Sequence, residues 1–93
     1  MEITEVQIYP VADRMLKAYV AITFDDCFVV RDMKVIQGRK GIFVAMPSRR
    51  QADGSYRDIA HPLDTQTRNR IQEQVLRVYR DKMHIRSEDA AKG

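Results

Sequence analysis

Two adjacent guanidinium groups, Arg49 and Arg50, follow directly on Met46-Pro47-Ser48 and precede the turn-forming pair Asp53-Gly54. A guanidinium is planar, permanently charged and carries its N–H donors in a fixed fork that matches a phosphate or carboxylate bidentately. Two of them on exposed backbone can straddle a groove or grip neighbouring phosphates. Arg31, Lys34, Arg39, Lys40 and Arg57 extend the same positive surface if the fold brings them close. Arg70 and Arg77 are spaced as two helical turns and add a row of charge. The chemistry this implies is anion recognition, with each neutralised phosphate steepening the salt dependence of binding.

Other chemistries fit less well. Cys27, His61 and His84 are too few and too scattered for a CxxC or HxxxH metal site, and no acidic run matches a calcium loop. Asp58 and His61 are three apart, which on a strand puts them on opposite faces. His61 reads better as a ring that holds a turn. Cys27 follows two aspartates, whose negative charge disfavours a thiolate nucleophile. No glycine-rich phosphate loop opens the helix, since HPLDTQT contains no glycine. The sequence therefore argues against an enzyme and calls for no cofactor. It also holds no helix-turn-helix pattern and no RNP aromatic pair.

Charge is unevenly distributed behind the net +3. Residues 1–30 carry two basic and five acidic side chains, residues 31–57 seven and two, and residues 58–93 seven and six. A basic block thus lies between an acidic front and a balanced end. It suits a polyanionic partner, and equally a solvated sheet edge guarded by cations. No apolar run approaches the ~20 residues of a membrane helix, and MEITEVQIYP has no secretory pattern. With one cysteine the chain can form no internal disulfide, so the expected setting is the cytoplasm.

The elements that must position these groups follow from periodicity. Residues 2–9 alternate weakly and form a first strand ended by Pro10. Residues 17–24 alternate strongly, with Ala18, Val20, Ile22 and Phe24 on one face. Asp25-Asp26 makes a tight reversal into a third strand over residues 27–36. There Val29, Met33 and Val35 are expected on one face, with Phe28, Val30 and Ile36 on the other. Gly38-Arg39-Lys40-Gly41 is a hairpin loop. A fourth, apolar strand runs from Ile42 to Met46, then the basic loop, then a short fifth strand from Tyr56 to Ala60. After Pro62 the period changes to 3.6. Asp64 or Thr65 caps a helix whose stripe is Ile71, Val75, Val78, Tyr79 and Met83, flanked by Leu76.

The stretch FVAMPSRR, with DG two residues on and then YRDIAHP, resembles the stage V sporulation protein G (SpoVG) family. FDDCFVVRDMKVIQG is similar to the family's second hairpin, and the resemblance covers roughly residues 1–80. It implies a small homodimeric regulator joined through strand edges, binding DNA and in some members RNA, and linked to septum formation, sporulation and gene control. It carries the binding role onto Arg49 and Arg50. It also implies an alternative, a non-enzymatic interaction protein of the division machinery. The resulting expectation is an α+β domain over residues 1–86. It comprises a mostly antiparallel sheet of about five strands with one C-terminal amphipathic helix packed on it, followed by a flexible tail over residues 87–93.

Overall fold

The computed structural model describes the chain fully over residues 1–84, with helix bounds running to Lys92; the tail expected over residues 87–93 lies outside those fully described residues. Four strands, β1 (Ile3–Pro10), β2 (Leu16–Phe24), β3 (Phe28–Gly38) and β4 (Gly41–Ala45), form an antiparallel sheet in the order β1-β2-β3-β4. Two short strands, β5 (Ser48–Arg50) and β6 (Tyr56–Asp58), pair separately, and helix α1 (Thr65–Lys92) closes the chain. The fold is α+β as expected. The strand expected over Tyr56–Ala60 does not join the main sheet and stops at Asp58.

Alternation in β2 sends Ala18, Val20, Ile22 and Phe24 to one face, and all four are buried. They meet Ile8 of β1, Met33 and Val35 of β3, and Val44 of β4 beneath Ile71, Val75, Leu76 and Tyr79 of α1. Leu76 belongs to this core, whereas Val78 and Met83 pack at its margin. The helical stripe is thus centred slightly differently from the expected one.

One face assignment on β3 is corrected. Met33 pairs with Val20 but Val30 pairs with Ile22, so Arg31 and Asp32 together oppose the single residue Ala21. This is a β-bulge, and Asp32 sits in the left-handed region at φ 62°. The extra residue flips the alternation upstream. Val30, rather than Val29, joins Met33 and Val35 on the core side, and Val29 is left exposed.

The turns explain why the strands stop where they do. Asp25 and Asp26 both adopt positive φ (49° and 55°), and the Cys27 N–H closes the turn on the Phe24 carbonyl at 3.0 Å, so three residues connect the paired Phe24 and Phe28. At the β3–β4 turn Gly38 faces Gly41, and a Cβ on Gly38 would lie 3.0 Å from the Phe43 ring. Phe43 therefore covers the glycine, which accounts for an aromatic side chain on the outer face.

Side chains of α1 reach both edges of the sheet. Gln72 accepts a long hydrogen bond from the Val44 N–H at 3.4 Å, and Lys82 donates to the Ile8 carbonyl at 2.8 Å. The helix itself starts at Asp64, whose side chain accepts the Thr67 N–H at 2.6 Å while its carbonyl accepts the Arg68 N–H at 3.2 Å. Of the two candidates the cap is Asp64. The Thr67 hydrogen bonds hold its carboxyl below the usual carboxylate range. A depressed folded-state value means that the cap stabilises fully above the unfolded pKa and is lost as pH falls through the folded one. Asp64→Ala is therefore expected to lower the melting temperature by a few degrees at pH 7, and the gap should close as pH falls below the usual carboxylate range. Thermal denaturation of both proteins across pH 2–7 checks this.

Candidate nucleic-acid interface

The basic stretch is a two-stranded ribbon. Pro47 has no N–H to continue the β4 ladder, and its carbonyl instead accepts the Ile59 N–H at 2.7 Å, closing the ribbon's root. At the tip the Gln51 N–H donates to the Ser55 carbonyl (2.6 Å) and the Gly54 N–H to the Gln51 carbonyl (3.0 Å), with Gly54 at φ 90°. Only a residue without a Cβ takes that backbone conformation cheaply, which is why Asp53-Gly54 marks the turn. Asp53 braces it by accepting from the Ser55 N–H (2.9 Å) and hydroxyl (2.6 Å). The Ser55 hydroxyl and then its N–H hold the Asp53 carboxyl below its ordinary range, so the brace is in place at neutral pH.

Between root and tip the pairs are Ser48–Asp58, Arg49–Arg57 and Arg50–Tyr56. The two adjacent arginines are on a strand, not a loop. Neighbours on a strand project to opposite faces, so Arg49 shares its face with Arg57 and Arg50 shares the other with Tyr56. Every residue of β5 and β6 is exposed. Directly opposed like charges repel. Among the described residues no carboxylate forms an ion pair with Arg49, Arg50 or Arg57. The face carrying Arg49 and Arg57 thus presents two neighbouring cations and, among the described residues, no carboxylate paired with either.

The remaining cations are dispersed. Arg31 lies in the β3 bulge, towards the end of the sheet from which the ribbon departs. Lys34 pairs with Tyr19 and Ala45 on the outer face, away from the helix. Arg39 and Lys40 form the β3–β4 turn, at the far end of β4 from the ribbon, about 17 Å away for a five-residue strand. Arg70 and Arg77 are exposed on α1, in the opposite layer from Lys34. The fold therefore brings together Arg49, Arg50 and Arg57 on one ribbon and leaves the other six on other elements.

Tyr56 was not anticipated in this setting. Its only signal in the sequence is arithmetic: a turn centred on Asp53 places residues 50 and 56 opposite each other. At the ribbon's root lies a shallow apolar groove lined by Phe24, Phe28, Met33, Met46, Pro62 and Ile71. The His61 Nδ1 lies 3.0 Å from the Pro62 carbonyl, the turn-holding role expected of that ring. Cys27 is exposed at the β2–β3 turn. Among the described residues no three potential metal ligands cluster, and no helix is long and apolar enough to cross a membrane.

Comparison with known proteins matches residues 1–81 to the sequence model of the SpoVG family. A relative from Anaeromyxobacter sp. (strain Fw109-5), named "Putative septation protein SpoVG", is 60% identical over 79 residues, covering 85% of this chain and 81% of the relative. Relatives of the same name occur in Bdellovibrio bacteriovorus (57% identical, 85% of this chain and 73% of the relative) and Myxococcus xanthus (50% identical, 90% and 85%).

Proposed function

This chain belongs to the SpoVG family, and from that premise we propose that it is a cytoplasmic nucleic-acid-binding regulator in septation and sporulation-type gene control. DNA is its principal partner and RNA a second. The observation that carries the reading is the Arg49–Arg57 pair, two directly opposed arginines with no counter-ion among the described residues. Phosphates spaced along a nucleic-acid backbone supply the missing charge in the bidentate geometry that arginine favours. The role is recognition rather than turnover.

The reading includes a homodimer. A chain of this length has a modest core, and β1 and β4 are the outer strands of the sheet, each engaged by α1 at a single main-chain group and otherwise available to a second copy. Two ribbons then form a bipartite clamp. The assay is fluorescence anisotropy of the purified protein with labelled duplex DNA and RNA across several salt concentrations. Sub-micromolar binding is expected, with log K falling against log salt by about 0.9 for each phosphate contacted. Absence of binding at low salt overturns the reading.

The exposed apolar side chains Phe28, Ile59 and Leu63 near the ribbon's root favour a second reading. In it the protein is an interaction factor of the division machinery, as the relatives' name suggests. Retention of septation proteins from an extract after nuclease treatment, with no anisotropy change on any nucleic acid, distinguishes it.

A further inference from the structure

We infer that the second face of the ribbon, Arg50 with Tyr56, is a stacking site for an unpaired nucleobase, so that single-stranded nucleic acid is bound through a contact that duplex cannot make. The inference rests on the nucleic-acid reading above and adds a ligand class and a residue to it.

Tyr56 is 69% exposed on a strand of three residues. Most other exposed aromatic side chains have a visible structural task. The Tyr9 hydroxyl donates to Gln7 at 2.6 Å, Tyr19 stands between Tyr9 and Lys34 in the cross-strand ladder, Phe43 covers Gly38, and Phe28 lines the apolar groove. Tyr56 packs against none of the core and takes part in no described hydrogen bond. An aromatic ring held in water on a rigid turn has been left free for something outside the chain.

What it is free for follows from its neighbours. Hydrogen bonds at Gln51–Ser55 and Pro47–Ile59 alternate along the ribbon, which makes Arg50–Tyr56 a pair without its own hydrogen bonds. In such pairs the strands approach most closely and facing side chains lie side by side. The Arg50 guanidinium extends toward the turn, its Nη2 4.0 Å from where a Gly54 Cβ would be. A ring and a cation are therefore presented together on one face of the ribbon, opposite the face that carries Arg49 and Arg57. One nucleotide offers the complement of both, a base with a π-face and a phosphate within a few ångströms of it. In a duplex that π-face is covered by neighbouring base pairs; in a single strand it is available, and such stacking tolerates any base.

The test uses the full chain, with anisotropy measured on oligo(dT), oligo(rU) and a mixed-sequence duplex at one salt concentration. Tyr56→Leu keeps an apolar side chain of similar reach but removes the ring, and Tyr56→Phe keeps the ring. Tyr56→Leu is expected to weaken single-strand binding at least fivefold, leave duplex binding within twofold, and leave the melting temperature unchanged; Tyr56→Phe should bind like the unaltered protein. A loss on both oligonucleotides assigns the contact to what they share, a stacked pyrimidine ring, and a loss on only one makes the site selective for that nucleic acid. Equal losses on single strand and duplex, or no loss on either oligonucleotide, overturn the inference. The Arg49→Ala/Arg57→Ala protein separates this from failure of the parent reading. If that variant weakens all three ligands while Tyr56→Leu changes none, only the stacking site is wrong. If the unaltered protein binds none of them, both are.

Discussion

Replacing Arg49 and Arg57 together with alanine is expected to lower affinity for duplex DNA at least tenfold, while the melting temperature stays level or rises slightly. The two effects have the same source. On the proposed reading each guanidinium contributes a charge-assisted contact to phosphate, and losing two should also flatten the salt dependence by about 1.8 in log K against log salt. In the free protein the same two groups face each other across the ribbon with no described counter-ion, so the folded state bears their repulsion. Binding that weakens while stability does not is the signature of a side chain retained for its ligand. Anisotropy and thermal denaturation on one preparation check both. Unchanged affinity would remove the ribbon from the interface, and a marked fall in melting temperature would make the pair structural. Arg49→Ala with Arg50→Ala, the change that adjacency alone recommends, takes one cation from each face and so mixes two contacts.

The largest effect on stability is expected at Ile22. It is fully enclosed, at the centre of the strand that both β1 and β3 pair with, and it lies among the core residues that meet α1. Ile22→Ala removes three carbons from a site with neighbours on every side, and costs of such changes run to roughly 2–5 kcal/mol. For a domain of this length each kcal/mol shifts the midpoint by about 4–8 °C. Chemical denaturation should show a lower midpoint with an unchanged slope, since the loss is of packing rather than of compactness. A loss below about 1 kcal/mol would mean that the helix–sheet core is more plastic than its burial suggests.

Much of this architecture is legible in the sequence, for identifiable reasons. Ala18, Val20, Ile22 and Phe24 alternate without interruption, so the core face of β2 is visible by inspection. The helical stripe is visible because its period changes after Pro62, and its centre is off by one flank because Leu76 is as apolar as the residues chosen before it. β3 is misread because its bulge is carried by Asp32 rather than by a glycine. Nothing in VVRDMKV announces that one residue will adopt positive φ and reverse the faces upstream. At the interface the arginines are legible as a phosphate-seeking pair, and the turn is legible in Asp53-Gly54. Their division between two faces is not, because it requires that the residues after Pro47 pair with those after Gly54 instead of forming a loop.

The two hydrogen bonds from α1, Gln72 to the Val44 N–H and Lys82 to the Ile8 carbonyl, are on opposite borders of the sheet. A four-stranded sheet with two bare borders can recruit a copy on each side, and each new copy brings a fresh border, so growth has no natural end and produces fibres. With one main-chain group on each border already engaged, an added copy must first displace a helix side chain. The helix that completes the core therefore also guards both borders of the sheet against open-ended growth.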